Sequence, residues 1–196
     1  GSEMCIRDRA GETILVLGES GGVGMAAVDI GKLLGATVIA TGGSDAKLQR
    51  VLAYGADHVI NTENGFREQV KALTGGLGAD VIYDPVGGDI FDESTRCINF
   101  DGRLLIIGFT SGRIASVPTN IPLIKGFSVM GVRAGEYGRQ FPEKGAENLQ
   151  TIWDWVRAGK TKPHVHAELP LSQSVDGFRM LQQREVIGKL VICPDR

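Results

Sequence analysis

The segment Gly18-Glu19-Ser20-Gly21-Gly22-Val23-Gly24 constrains this chain more than any other. Gly18, Gly21 and Gly24 recur at every third position, with Gly22 added. Ahead of it, Thr13–Leu17 (TILVL) sets four apolar residues behind a threonine, as expected of a strand buried on both faces. Behind it, residues 22–34 carry Val23, Ala26, Ala27, Ile30, Leu33 and Leu34 at helical spacing, and Gly35 suits a helix stop. A strand that turns into a helix through glycines leaves the first helical N–H groups without backbone partners. It also removes the Cβ atoms that would keep a ligand away from them.

The alternation continues. Strands are expected at 37–41, 58–60, 81–83, 103–107 and 127–132, and helices at Asp45–Tyr54, 66–73 and 89–98. Strand–helix alternation with short loops predicts a parallel sheet joined by right-handed crossovers. Six such strands describe an α/β Rossmann domain, doubly wound, over residues 10–160, closed by an amphipathic helix at 143–158. The rhythm then changes to a strand at 164–169, a helix at 173–183 and a strand at Lys189–Cys193. This strand–helix–strand tail, 161–196, reads as a segment that returns to another domain or caps the sheet. Residues 1–9 (GSEMCIRDR) fit no pattern and look like a non-native leader, which implies that native sequence upstream is missing.

Composition narrows the function classes. With a formal net charge of −2 and 22% charged residues, nothing points to nucleic acid or an anionic membrane as partner. Three cysteines lie far apart with no CxxC pair, which argues against a disulfide scaffold and a structural zinc site and for a reducing compartment. No apolar run approaches the roughly 20 residues that span a bilayer. A cytoplasmic location is the expectation.

The glycine loop admits rival readings. A P-loop needs Gly-Lys-Ser/Thr at its end, whereas Gly24 is followed by Met25 and Ala26, and that reading fails. Residues 18–22 do satisfy G-x-S-x-G, so an α/β-hydrolase elbow with Ser20, Asp84 and His164 or His166 is an alternative. An elbow does not require Gly24, however, and a hydrolase would show several strands before it. Methyltransferases and flavoproteins carry similar loops, but the setting between strand and helix favours a dinucleotide. An NAD site would place an acid at the end of the second strand. Here that strand ends Ala40-Thr41-Gly42-Gly43-Ser44, without one. The space suits a 2′-phosphate, with Ser44 as donor and Lys47 as charge, although Lys47 also reads as an ordinary solvated helix residue. NADPH is therefore expected over NADH, and Gly42→Asp is expected to reverse the order.

Further segments join the loop SGGVG (20–24) and ATGGSDAK (40–47): GADHVIN (55–61), YDPVGG (83–88), GRLLIIGF (102–109) and GKLVICP (188–194). With these, the chain from about residue 10 to 194 resembles the zinc-independent quinone oxidoreductases of the medium-chain dehydrogenase/reductase superfamily. The resemblance implies that Ser20, Gly21, Gly22 and Val23 face the pyrophosphate, and that Gly42, Ser44 and Lys47 surround the 2′-phosphate. It places Val86 and Gly87 beside the adenosine, and Gly108, Phe109 and Val132 on the nicotinamide side. A tyrosine that some relatives carry after the Ile-Asn pair is Thr62 here.

The resemblance also implies hydride transfer from NADPH to a quinone or an α,β-unsaturated carbonyl. The tail would then belong to a catalytic domain formed mostly by sequence upstream, so no catalytic residue is assigned. No metal site is expected: His58, His164 and His166 lack helical H-x-x-x-H spacing. A short-chain Tyr-x-x-x-Lys pair is missing too, since Tyr137 is followed four residues later by Phe141. The alternative from another class is a nucleotide-binding module that is catalytically silent. Strand 127–132 has no charge and no proline to guard an edge. Relatives pair such edges across a two-fold axis, so a homodimer through this strand is expected.

Overall fold

The computed structural model describes residues 10–161 and 163–194. The expectation for residues 1–9 lies outside the described residues. Six parallel strands form one sheet: β1 (Thr13–Leu17), β2 (Thr37–Gly42), β3 (His58–Asn61), β4 (Ala79–Asp84), β5 (Ile98–Ile106) and β6 (Ser128–Gly131). Their order is β3-β2-β1-β4-β5-β6, with β1 and β4 side by side at the centre. This is the doubly wound Rossmann order, with its switch point between β1 and β4.

The strands read as unbroken apolar runs because both faces of the sheet are covered. Leu15 and Leu17 of β1, Ile39 of β2, Ile82 of β4 and Leu104 of β5 point to one side. There they meet Phe66, Val70 of α3 (Arg67–Leu73) and Phe91 of α4 (Gly88–Ser94). The alternate residues Ile14, Val16, Val38, Ala40, Val81 and Leu105 point to the other side. They pack on Met25 and Val28 of α1 (Gly22–Leu33) and Val51 of α2 (Asp45–Tyr54). At the edge of the core Arg103 on β5 grips Glu12, just before β1, with two hydrogen bonds of 3.1 and 2.6 Å.

Three local features depart from the sequence reading. The helix expected over 89–98 stops at Ser94, and Ile98 instead opens β5. That strand bulges at once: its register against β4 jumps from Ala79↔Ile98 to Val81↔Arg103, with Asp101 in the left-handed region at φ 61°. Two short helices were not foreseen, α5 (Asn120–Lys125) and α6 (Ala134–Gln140). Pro122 inside the first and Gly135 and Gly138 inside the second hide their periodicity. The long helix α7 (Pro142–Arg157) follows, with proline at its first position.

The tail forms its own parallel pair, β7 (Val165–Pro170) with β8 (Lys189–Cys193), joined through α8 (Ser174–Gln182). It docks on the glycine loop. The Gly188 N–H donates to the Ser20 carbonyl at 2.8 Å, and Gly21 and Gly188 form a parallel bridge. Its outward face stays apolar, with Phe178 72% and Leu171 57% exposed. Among the described residues no helix is long and apolar enough to cross a membrane.

Candidate functional site

The loop between β1 and α1 turns because Gly18 adopts φ +63°, a region costly for any residue with a Cβ. Gly24 is required for a different reason: a Cβ there would lie 2.5 Å from the Gly18 carbonyl oxygen. Only glycine lets α1 start this close to the strand it leaves. Gly21 caps the helix without a side-chain hydrogen bond, and the first turn carries no acid. The N-terminus of α1 therefore presents donors and a positive dipole end, an arrangement suited to phosphate.

This loop opens onto a cavity of about 1020 Å³. Ser20, Gly21 and Gly22 line it from the loop, Gly42 and Ser44 from the end of β2, Lys47 from α2 and Val86 from beyond β4. Of the twelve expected site residues, these seven come together. Val23 and Val132 instead line a second, mainly apolar cavity of about 450 Å³, together with Tyr83, Trp155 and His164. Gly87, Gly108 and Phe109 line neither. They cluster where β4 and β5 end: a Cβ on Gly87 would lie 3.4 Å from the Phe109 ring, and one on Gly108 would lie 3.2 Å from the Pro85 carbonyl oxygen. The cavity wall there is Thr110 and Ser111, whose N–H groups donate to the carbonyls of Pro85 and Val86 at 3.1 and 3.0 Å.

Lys47 is not an idle surface lysine. Its ammonium donates to the Arg184 carbonyl, and at 3.5 Å to that of Val186, so it latches the tail over the cavity. Leu181, Arg184, Val186 and Gly188 of the tail form one wall. Thr62, in the place where some relatives carry tyrosine, also faces the cavity.

Sequence reasoning missed Glu19. It treated the end of β2 as free of acid, but the loop delivers a carboxylate there. The Glu19 N–H donates to the Thr41 carbonyl at 3.5 Å, which fixes the residue beside β2. A Cβ on Gly42 would lie 2.2 and 2.3 Å from the two carboxylate oxygens. Glu19 is only 2% exposed, and its Oε2 finds no hydrogen-bond partner. Burial pushes its carboxyl up to about 7, against the opposing pull of a backbone hydrogen bond and the Lys47 charge. The signal was present in the sequence as a charged residue inside a glycine loop; its neighbour in space was not.

The hydrolase constellation does not assemble. Asp84 is buried, and its Oδ1 accepts the N–H groups of Val86 and Gly87, each at 2.8 Å. Ser20 and His164 line different cavities, and the His166 Nδ1 accepts the Ile187 N–H at 3.3 Å. Among the described residues no group of three or more His, Cys, Asp or Glu stands close enough to hold a metal ion.

A glycine turn at the switch point of a parallel sheet, an open helix N-terminus and a cavity reaching the end of β2 define a dinucleotide-binding Rossmann domain. A family profile described as zinc-binding dehydrogenase matches residues 22–152, and the chain belongs to that family. Quinone oxidoreductase-like protein 2 of Bos taurus is 37% identical over 184 residues, which are 93% of this chain and 53% of that protein. A 2-haloacrylate reductase from a Burkholderia species is 28% identical over 192 residues, 95% of this chain and 56% of that one. The crystal structure of Escherichia coli quinone oxidoreductase complexed with NADPH superposes with a TM-score of 0.86 at 29% identity. It covers 98% of this chain and 61% of that one. The chain thus spans about half the length of the curated relatives it matches.

Proposed function

We propose that this chain binds NADPH and serves an oxidoreductase that passes hydride to a quinone or an α,β-unsaturated carbonyl. The observation that carries the reading is one cavity joining the open N-terminus of α1 to Gly42, Ser44 and Lys47 at the end of β2. The first can hold a pyrophosphate, and the second has the donors and charge for a 2′-phosphate. The NADPH complex of the E. coli relative supports the choice of cofactor, and the haloacrylate reductase supports an activated alkene as one class of acceptor.

NADPH supplies the hydride; the protein's task is positioning and exclusion of water. The loop from Ser20 to Gly22 orients the phosphates through backbone N–H groups. Lys47 holds the tail against the loop by its bonds to the Arg184 and Val186 carbonyls, and so fixes that wall of the cavity.

The division of the chain belongs to the same proposal. Residues 10–160 form the nucleotide domain, and 161–196 serve a substrate domain against which Phe178 and Leu171 would be covered. Pairing of two copies through β6 and a cytoplasmic location complete it.

Enhancement of reduced-cofactor fluorescence on titration with the chain tests the binding claim. Bound NADPH should be displaced by adenosine 2′,5′-bisphosphate and hardly by adenosine 5′-monophosphate. Equal displacement by both would remove the 2′-phosphate from the argument, and no enhancement at all would remove the function.

A further inference from the structure

The binding scheme above leaves one buried group unused. Glu19 carries a carboxylate into the cavity wall at the end of β2, where a nucleotide fold places the adenosine ribose. Both oxygens stand within 2.3 Å of the point where a Gly42 side chain would begin. Oε2 is buried without a hydrogen-bond partner, a condition costly for an ion and unusual in a native structure. The charged residues lining the cavity are Glu19 from the loop, Lys47 from α2 and Arg184 from the tail. Lys47 spends its donors on the carbonyls of Arg184 and Val186 rather than on the carboxylate. Asp84, the other buried carboxylate near the strand ends, is tied to the N–H groups of Val86 and Gly87 and does not line the cavity.

The two protonation states of Glu19 suit different cofactors. An ionised carboxylate repels a 2′-phosphate but accepts a hydrogen bond from a ribose 2′-hydroxyl. A protonated carboxyl loses the repulsion and offers its O–H as a donor to the phosphate. We propose that Glu19 is a specificity-determining residue that takes up a proton when NADPH binds and none when NADH binds. The preference for NADPH then declines as the pH rises. The inference rests on the NADPH reading above and goes beyond it by naming the group that sets the preference. Burial already raises Glu19 to about 7, so the change falls near neutral pH.

The test is calorimetry of the 196-residue chain with NADPH and with NADH, in two buffers of different ionisation enthalpy at about pH 7.5. The NADPH heat should differ between buffers in the direction and by the amount that net proton uptake requires, and the NADH heat should show no uptake, only a small difference of opposite sign. Glu19→Gln should abolish the difference. Between about pH 6.5 and pH 8.5 the parent's ratio of NADPH to NADH affinity should fall about tenfold, while the ratio in Glu19→Gln changes much less. The 2′-phosphate's own ionisation, near pH 6 for a monoester, is common to both proteins and cancels in the comparison. Buffer-independent heats alongside firm NADPH binding, or the same pH dependence in parent and variant, would overturn the role of Glu19 and leave the NADPH reading standing. Absence of NADPH binding at every pH would overturn both. The buffer comparison on the parent needs no variant, so a poorly folding Glu19→Gln does not remove the test.

Discussion

The carboxylate of Glu19 occupies the space into which a side chain at Gly42 would grow, its Oε1 only 2.2 Å from the position of that missing Cβ. The two residues are 23 positions apart and lie on different elements, yet each limits the other. The simple exchange expected from sequence, Gly42→Asp to favour NADH, therefore requires the Glu19 side chain to move, because it would press a second carboxylate onto a buried one. Gly42→Asp alone should cost about 1–3 kcal/mol of stability, because the buried Glu19 side chain must give way. The double variant Glu19→Ala/Gly42→Asp should fold and bind NADH about tenfold more tightly than NADPH. Urea unfolding and calorimetry measure the two effects. A single variant as stable as the parent would contradict the geometry.

Stability should follow the ionisation of Glu19. Its folded-state pKa, about 7, lies above the 4.5 of an ordinary glutamate, so the neutral form is the one the fold accommodates. That contribution is complete below about pH 4.5. It declines as the pH climbs toward 7, because only the unfolded chain is then ionised, and is lost above. Glu19→Gln should accordingly raise unfolding free energy by roughly 3 kcal/mol at pH 8 and by little at pH 4.5. Denaturation curves at both pH values decide the point; a gain of the same size at both would speak against a buried carboxyl of this kind.

Lys47 has two duties, which separate by experiment. Lys47→Ala should weaken NADPH by about tenfold and leave NADH nearly unchanged. It should also speed amide exchange at 184–188, where the latch to the tail is lost. Slow exchange in the variant would show that the Gly188–Ser20 bond holds the tail unaided.

The sheet was legible because its strands are buried on both faces and its helices are amphipathic, patterns carried within a few residues of chain. Six strands and the strand–helix–strand tail follow from such local patterns. What was illegible depends on distance in sequence. Glu19 meets Gly42, and Lys47 meets a tail 137 residues away, and neither neighbour leaves a mark on the local pattern. Val23 is expected at the pyrophosphate and Val132 on the nicotinamide side, but Val23 lies within α1, and the structure turns both residues toward the apolar cavity. The end of α4 was misread because Ile98 continues its apolar spacing while already lying in β5.

The β6 edge offers a prediction about assembly. The Val132 N–H donates to Ile106 of β5 at 3.0 Å, so by alternation along the strand Val129 and Gly131 direct theirs to the free edge. Val129→Pro should then remove an outward donor without breaking a bond to β5. Light scattering should show a dimer shifting toward monomer, with secondary structure unchanged by circular dichroism. A parent protein that stays monomeric at high micromolar concentration would refute pairing through β6.

The central claim is that the α1 N-terminus and the end of β2 together form a site for a 2′-phosphorylated dinucleotide. Calorimetric titration of the parent chain with NADPH and with NADH at about pH 6.5, where Glu19 is mostly neutral, measures it most directly. The expected result is one site per chain, with NADPH about tenfold tighter than NADH, a difference of about 1.4 kcal/mol. Equal affinities, or a preference for NADH at that pH, would contradict it.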